Sequence, residues 1–266
     1  MGIERARRRF PTVHDIAPDR WEEIQRMKRV HAERQPRISS ADAAARDRYT
    51  RLLAQENLPT ARASDLRDLA KDRALGSVGN QQVFLAEWIR LGEKEASEGM
   101  RRALFYLLYG EGEEAVRLND LLGSEHELSM TGLKEKILTK ALCMAFTDRW
   151  IPIIDYSGDS GKKAIVETLL GLKVPARDQT MTPGRLIAFS NDLLVDVARP
   201  EFDDLEMAAG FFWDASAHLR KGKEAREYES HPSRPNPLRF VCTRCNLEKG
   251  AQQLADVEKE LCGDCV

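Results

Sequence analysis

Four cysteines close the chain in two Cys-x-x-Cys pairs. Cys242 and Cys245 form the first, Cys262 and Cys265 the second, and sixteen residues separate the pairs. Zinc binds four thiolates tetrahedrally, and a Cys-x-x-Cys turn offers two sulfurs from one tight knuckle. Gly263 in the second pair and Lys249–Gly250 after the first suit such turns. With all four positions filled by protein no place is left for a water, so the spacing points to a structural Zn2+ site of the zinc-ribbon kind. The metal would supply folding energy that so short a segment cannot supply alone. An iron–sulfur cluster or a redox dithiol uses the same residue types. The stretch "QQLADVEKEL" between the pairs is compatible with helix. Cys143 stands apart on an apolar helical stripe and reads as a small buried hydrophobe.

Such modules bind DNA, RNA or protein, or only stabilise a terminus. Here Arg239, Arg244 and Lys249 are outweighed by Glu248, Asp256, Glu258, Glu260 and Asp264. The module's own charge therefore favours protein docking over a firm grip on DNA.

Positive charge collects at the other end. Residues 1–51 hold 13 Lys or Arg against 8 Asp or Glu, a local excess of +5; the net charge of −2 leaves −7 for the remainder. Arg5, Arg7, Arg8 and Arg9, followed by Arg26, Lys28 and Arg29, form a candidate phosphate-contacting set. A solvated terminus has the same composition. "YSGDSGKKA" (156–164) suggests a phosphate loop, but Tyr156 stands where the first glycine belongs and Lys163 where Ser or Thr belongs. It reads as a glycine-rich turn opening a helix, with Lys162 and Lys163 in reach of a phosphate.

Catalytic constellations are weaker. Asp203, Asp204 and Glu206 could serve a metal-dependent nuclease, yet they sit where a helix begins and suit its dipole. His231 precedes the cysteines as a His does in an HNH site, with only Asn246 to follow it. His14, His31, His126 and His218 form no spaced pair, and no Gly-x-Ser-x-Gly elbow occurs. Trp21, Trp88, Trp150 and Trp213 fit packing positions better than a base-stacking platform.

The elements that must position these groups are helices. Residues 1–20 are weakly periodic and read as a basic arm. In "DRWEEIQRMKRVHAER" (19–34), Trp21, Ile24, Met27, Lys28 and His31 share one stripe. Helices are also expected over 39–58, 63–75, 80–92, 95–110, 131–146, 161–172, 182–199 and 203–227. Thr182 caps the second-last of these, with Pro183 in its first turn. Three prolines in "SHPSRPNPLRF" mark a linker. The expected organisation is an arm (1–20), a helical domain (21–229), a Pro-rich linker (230–241) and a four-cysteine zinc module (242–266). The fold class is mainly α, a multi-helix bundle carrying a small zinc-binding module. No apolar run approaches the ~20 residues that span a bilayer, and "MGIERARRRF" has no secretory apolar core, so a cytoplasmic location is expected.

"LTKALCMAFTDRWIPIIDYSGDSGKKAIVETLLGL" (138–172) carries an apolar helix, an Arg-aromatic-x-Pro turn (Arg149, Trp150, Ile151, Pro152) and a second short helix. "DDLEMAAGFFWDA" (203–215) adds Phe211, Phe212 and Trp213. With these motifs, residues 84–216 resemble the helical region upstream of the motor in McrB-like restriction ATPases and related defence proteins. The AAA+ motor itself has no counterpart here. The resemblance implies a DNA-related defence component, a sensor or a subunit of a larger complex. The expected function is a non-enzymatic, zinc-containing protein of prokaryotic defence or regulation that binds or senses DNA. Two alternatives stand beside it: an adaptor that docks a protein partner through the zinc module, and a metal-dependent nuclease.

Overall fold

A computed structural model describes residues 2–34, 40–72, 76, 78–79, 81–123, 125–199 and 201–220, and the backbone of four short strands beyond them. Eleven α-helices are present among the described residues: α1 (Ile3–Arg7), α2 (Pro18–Glu33), α3 (Ser40–Leu53), α4 (Ala63–Lys71), α5 (Gln82–Leu91), α6 (Glu93–Tyr109), α7 (Glu114–Leu122), α8 (Glu135–Ala145), α9 (Lys162–Thr168), α10 (Pro183–Ala198) and α11 (Leu205–Arg220). The protein is mainly α, a multi-helix body, as its 3.6-residue apolar periodicity dictates.

Two helices lie at the centre. In α8 every residue from Ile137 to Met144 is buried. α10 buries residues on all sides, from Gly184 through Ala198. A helix wrapped in this way must have neighbours on every face. α10 packs on α7, α9 and α11; α8 packs on α3, α4 and α6. The approach of α7 to α10 depends on Gly184. A Cβ there would stand 2.6 Å from the Asn119 nitrogen, and closer still to the Ala115 carbonyl oxygen. Thr182 caps α10 as expected, its side chain accepting from the Arg185 backbone N–H at 3.5 Å, with Pro183 in the first turn. Gly92, at φ +79°, lets α5 pass directly into α6.

The first twenty residues are not a free arm. α1 lays Ala6 into the core, and Phe10 meets the ring of Phe189 on α10 edge-on, with centroids 5.6 Å apart. Thr12 and Asp15 cap the next turn reciprocally, and Ile16 is buried. Ala6 and Phe10, with the ion pairs Arg7–Asp192 and Arg9–Asp178, hold the segment to the body.

The Arg149–Pro152 turn seats Trp150 and Ile151 inward as expected. Trp88, Phe211 and Phe212 are also buried, whereas Trp21 is half-buried and Trp213 is 36% exposed. Near the C-terminus β1 (Phe240–Val241) pairs antiparallel with β2 (Glu248–Lys249), Phe240 opposite Lys249. β3 (Leu254–Asp256) pairs antiparallel with β4 (Leu261–Cys262) across an irregular register. Residues 254–256 are thus extended, not helical, because their backbone groups pair with β4.

Candidate functional site

The cationic residues singled out by sequence fall into three groups. Lys28 and Lys162 lie fully inside the protein. Lys28 donates from Nζ to the Val197 carbonyl at 2.6 Å and pairs with Glu201 at 2.5 Å. Lys162 donates to Asn191 Oδ1 at 2.9 Å and sits 4.7 Å from the centre of the Trp150 ring. Neither can reach a phosphate, which corrects their place in the candidate set. Lys28 fell on the apolar stripe of α2, and the stripe won.

Arg7 and Arg9 are at the surface but matched. Arg7 pairs with Asp192 of α10 and stacks 4.1 Å over Phe189. Arg9 pairs with Asp178 at 2.7 Å, and that arginine holds the Asp178 carboxyl down to about 2. Arg5, Arg8, Arg26, Arg29 and Lys163 form the third group, side chains exposed to solvent. Along α2, however, the exposed row runs Asp19, Glu22, Arg26, Arg29, Glu33. It carries three acids for two bases and is no track for a phosphate backbone.

Two of the three candidate nuclease carboxylates are matched as well, while Asp203 is exposed. Arg46 of α3 reaches both Asp204 at 3.2 Å and Glu206 at 3.0 Å. Asp204 Oδ1 accepts the Glu206 backbone N–H at 2.9 Å, the capping role that a first-turn acid fills. Burial pushes the Glu206 carboxyl up from its ordinary value. Among the described residues no group of three or more His, Cys, Asp or Glu is placed to hold a metal ion. His31 packs against Phe202 and Phe211, where burial lowers its pKa to about 4. Cys242, Cys245, Cys265 and the side chain of Cys262 lie outside the described residues, as does His231.

The interior holds a polar centre that the sequence did not disclose. Asn191 on α10 accepts from the Ile151 backbone N–H at 3.1 Å and from Lys162. It donates from Nδ2 to the Arg149 carbonyl at 2.9 Å. One side chain thereby fixes the 149–151 turn and α9 to α10. The Cys143 thiol donates to the Ile151 carbonyl at 3.2 Å, and burial pushes it up to about 11. Burial likewise brings Lys162 down to about 8. On the outside of the same turn, Trp150 Nε1 donates to Glu114 Oε2 at 3.0 Å and Arg149 donates to Oε1 at 2.5 Å. These groups border a groove of about 510 Å³ between α1, α7 and α10. Of its arginines, Arg7 pairs with Asp192, Arg149 pairs with Glu114, and Arg117 donates to backbone carbonyls, so it offers no set of cations for an anion.

Basic and hydroxyl groups elsewhere satisfy helix ends. Lys140 of α8 donates to the Asp72 carbonyl at the end of α4. Arg117 of α7 donates to the Leu107 carbonyl of α6 at 2.9 Å, and also to the Gly112 carbonyl. Tyr109 donates to the Leu53 carbonyl, the last of α3, at 2.6 Å.

One surface stands out for the opposite reason. α5 buries Phe84 and Trp88, whose rings lie 5.6 Å apart. Its outer face carries Val83, 59% exposed, and Ile89, 79% exposed, with Ala86 exposed between them. Gln82 and Arg90 are exposed beside them, so the outer side of α5 is mixed, with two large apolar side chains uncovered.

No protein-family model matches this chain, and neither a curated protein nor a solved structure shows significant similarity to it. The resemblance of residues 84–216 to McrB-like ATPases rests on its motif residues alone. No described helix is long and apolar enough to cross a membrane.

Proposed function

We infer that this protein is a non-enzymatic adaptor that engages a protein partner, built as a helical body joined to a C-terminal zinc module. The observation that carries this reading is α5, a helix with its inner face packed and its outer face apolar and exposed at Val83 and Ile89. Isolated exposed hydrophobics are ordinary, but Val83 and Ile89 are two large ones on the outside of a single helix, with exposed Ala86 between them and Gln82 and Arg90 alongside. The charge arrangement supports it: Arg7, Arg9, Arg46 and Arg149 each face a carboxylate of the body.

Zn2+ on Cys242, Cys245, Cys262 and Cys265 belongs to the same proposal. β1 and β2, between which Cys242 and Cys245 fall in the sequence, pair antiparallel, and β4 carries Cys262; both suit a zinc knuckle. When bound, the metal supplies folding energy and no open coordination position. A cytoplasmic location, where clustered cysteines bind metal and not each other, fits this reading. The McrB-like motifs favour a role in a restriction-like defence complex. A second reading is kept by the exposed Arg5, Arg8, Arg26 and Arg29: contact with DNA, modified or plain.

The test places a photo-crosslinking amino acid at position 89 of the full, zinc-loaded chain in its own host, with exposed Asp47 on α3 as the control site. A protein adduct at 89 and none at 47 is expected. Equal adducts at both sites, or none at 89, overturn the adaptor reading through α5. A salt-sensitive mobility shift on short duplexes, lost in Arg8→Glu/Arg29→Glu, installs DNA in its place, since neutralised phosphates release counterions.

A further inference from the structure

We propose that α1 is a latched phosphate-binding segment: Asp192 and Asp178 hold Arg7 and Arg9 against the body, and the phosphate backbone of DNA takes these arginines over when α1 lifts from α10. This rests on the second reading, contact with DNA, and adds to it two arginines that the docked segment keeps back.

Little apolar contact holds α1. It has five residues and no side-chain cap at Gly2, and a helix so short is helical only while docked. Ala6 puts one methyl into the core, and Ile3 is half-buried. Open space lies on both sides of Arg7. The groove of about 510 Å³ is on one side. A cleft of about 370 Å³, bordered by Pro11, Thr12, Leu193 and Asp196, is on the other. A segment packed so thinly belongs to the low-stability end of a structure. The chain behind it is better held, by buried Phe10 and Ile16 and by the Thr12–Asp15 cap. α1 can therefore lift while the next turn stays in place.

The rest of the attachment is charge. Arg7 pairs with Asp192 and Arg9 with Asp178, and all four side chains are about half exposed. Pairs so exposed are weak and are screened by salt. Neither acid is stranded when its arginine leaves. Asp178 keeps the backbone N–H groups of Thr180 and Met181, each at 2.7 Å, and Asp192 is open to water. The departing segment suits phosphate: residues 5–9 hold four arginines and no acid, and guanidinium forks match phosphate oxygens two bonds at a time. Arg5 and Arg8 are exposed already. Docked, α1 presents two arginines to DNA; lifted, it presents four. The lifted state is sparse until DNA is bound.

The experiment is fluorescence anisotropy of the full, zinc-loaded chain on a labelled duplex of about 20 base pairs, from about 50 to 200 mM salt. Asp178→Asn/Asp192→Asn keeps the shape of both acids and releases both arginines. It is expected to bind about tenfold tighter than wild type at low salt, and the gap should narrow as salt loosens the wild-type latch. Glu22→Gln/Asp47→Asn makes the same change in net charge at exposed positions elsewhere, and is expected to do far less. Adding Arg7→Gln/Arg9→Gln to the first variant should abolish its gain. Without DNA, hydrogen exchange over residues 2–10 should be faster in Asp178→Asn/Asp192→Asn, with α10 still protected. A double variant no tighter than its charge control overturns the proposal. So does a gain that survives the loss of Arg7 and Arg9, an unchanged exchange rate, or binding to phosphatidylserine vesicles in place of the duplex. Wild-type binding that is lost in Arg8→Glu, with no gain from Asp178→Asn/Asp192→Asn, leaves the DNA reading standing without the latch. No binding by any variant removes both.

Discussion

Replacing Lys162 by Met tests how the interior polar centre is balanced. The ammonium is fully buried, and burial lowers its pKa from the ordinary 10.5 to about 8. A displacement of that size is worth roughly 3 kcal/mol against the folded state wherever the unfolded lysine is charged and the pH lies below 8. The sign follows from proton counting. Between pH 8 and 10.5 the unfolded chain holds a proton that the folded chain has released, so wild-type stability rises with pH across that window. Met fills the same space without a charge. It forfeits the bond to Asn191 Oδ1, about 1–2 kcal/mol, but Asn191 keeps the Ile151 N–H at 3.1 Å. Lys162→Met is therefore expected to be more stable than wild type by roughly 1–2 kcal/mol at pH 7, and less stable by a similar amount near pH 10.5. Lys140, lowered to about 8, and the buried tyrosines are common to both proteins and drop out of the difference. Urea unfolding at pH 7, 8.5 and 10, followed by circular dichroism, measures it. A variant less stable at pH 7, or a difference that does not change with pH, refutes the reasoning.

Gly184→Ala should lower stability by roughly 2–4 kcal/mol in thermal unfolding although alanine is the better helix former by about 1 kcal/mol, because the added methyl meets the α7 backbone. Asn191→Ala removes a partner from the Ile151 N–H, the Lys162 ammonium and the Arg149 carbonyl, and should cost roughly 3–5 kcal/mol; pairing it with Lys162→Met in a double-mutant cycle should show a coupling above about 0.5 kcal/mol. The purified chain should bind one Zn2+ by atomic absorption, and Cys245→Ser should lose most of it. A thiol reagent should leave Cys143 untouched in the native protein at pH 8 and label it only on unfolding, since burial holds the thiol well above that pH.

α2 and α6 were legible because one stripe had to be buried, and they follow their expected spans closely. α8 and α10, buried on every side, were legible from sheer apolar content, and the Thr182–Pro183 start of α10 is where its cap chemistry put it. What misled was charge. The run Arg7–Arg9 looked like an arm because the composition of a solvated tail and that of a docked, ion-paired turn are the same; Asp178 and Asp192, far away in sequence, decide between them. Lys162 looked like a phosphate ligand because a Gly-Lys pair opens its helix, and only the distant Asn191 and Trp150 show that the side chain points inward. Asn191 itself lay in "AFSNDLL" with nothing in its neighbours to mark it. The helix over 80–92 was expected, but its periodicity did not tell that Val83 and Ile89 would stay exposed while Phe84 and Trp88 are buried.

The helix ends met by lysine, arginine and tyrosine side chains of other helices bear on how this protein unfolds. The terminal carbonyls of α3, α4, α6 and α10 find their donors on Tyr109, Lys140, Arg117 and Lys28, four residues on four different helices. An end satisfied from within its own segment can fray or detach by itself. An end satisfied from outside cannot loosen without stripping a partner from a donor in another element. Partial opening therefore has little to gain in this body. Its helices should be lost together in one transition, and intermediates with some of them melted should stay sparsely populated.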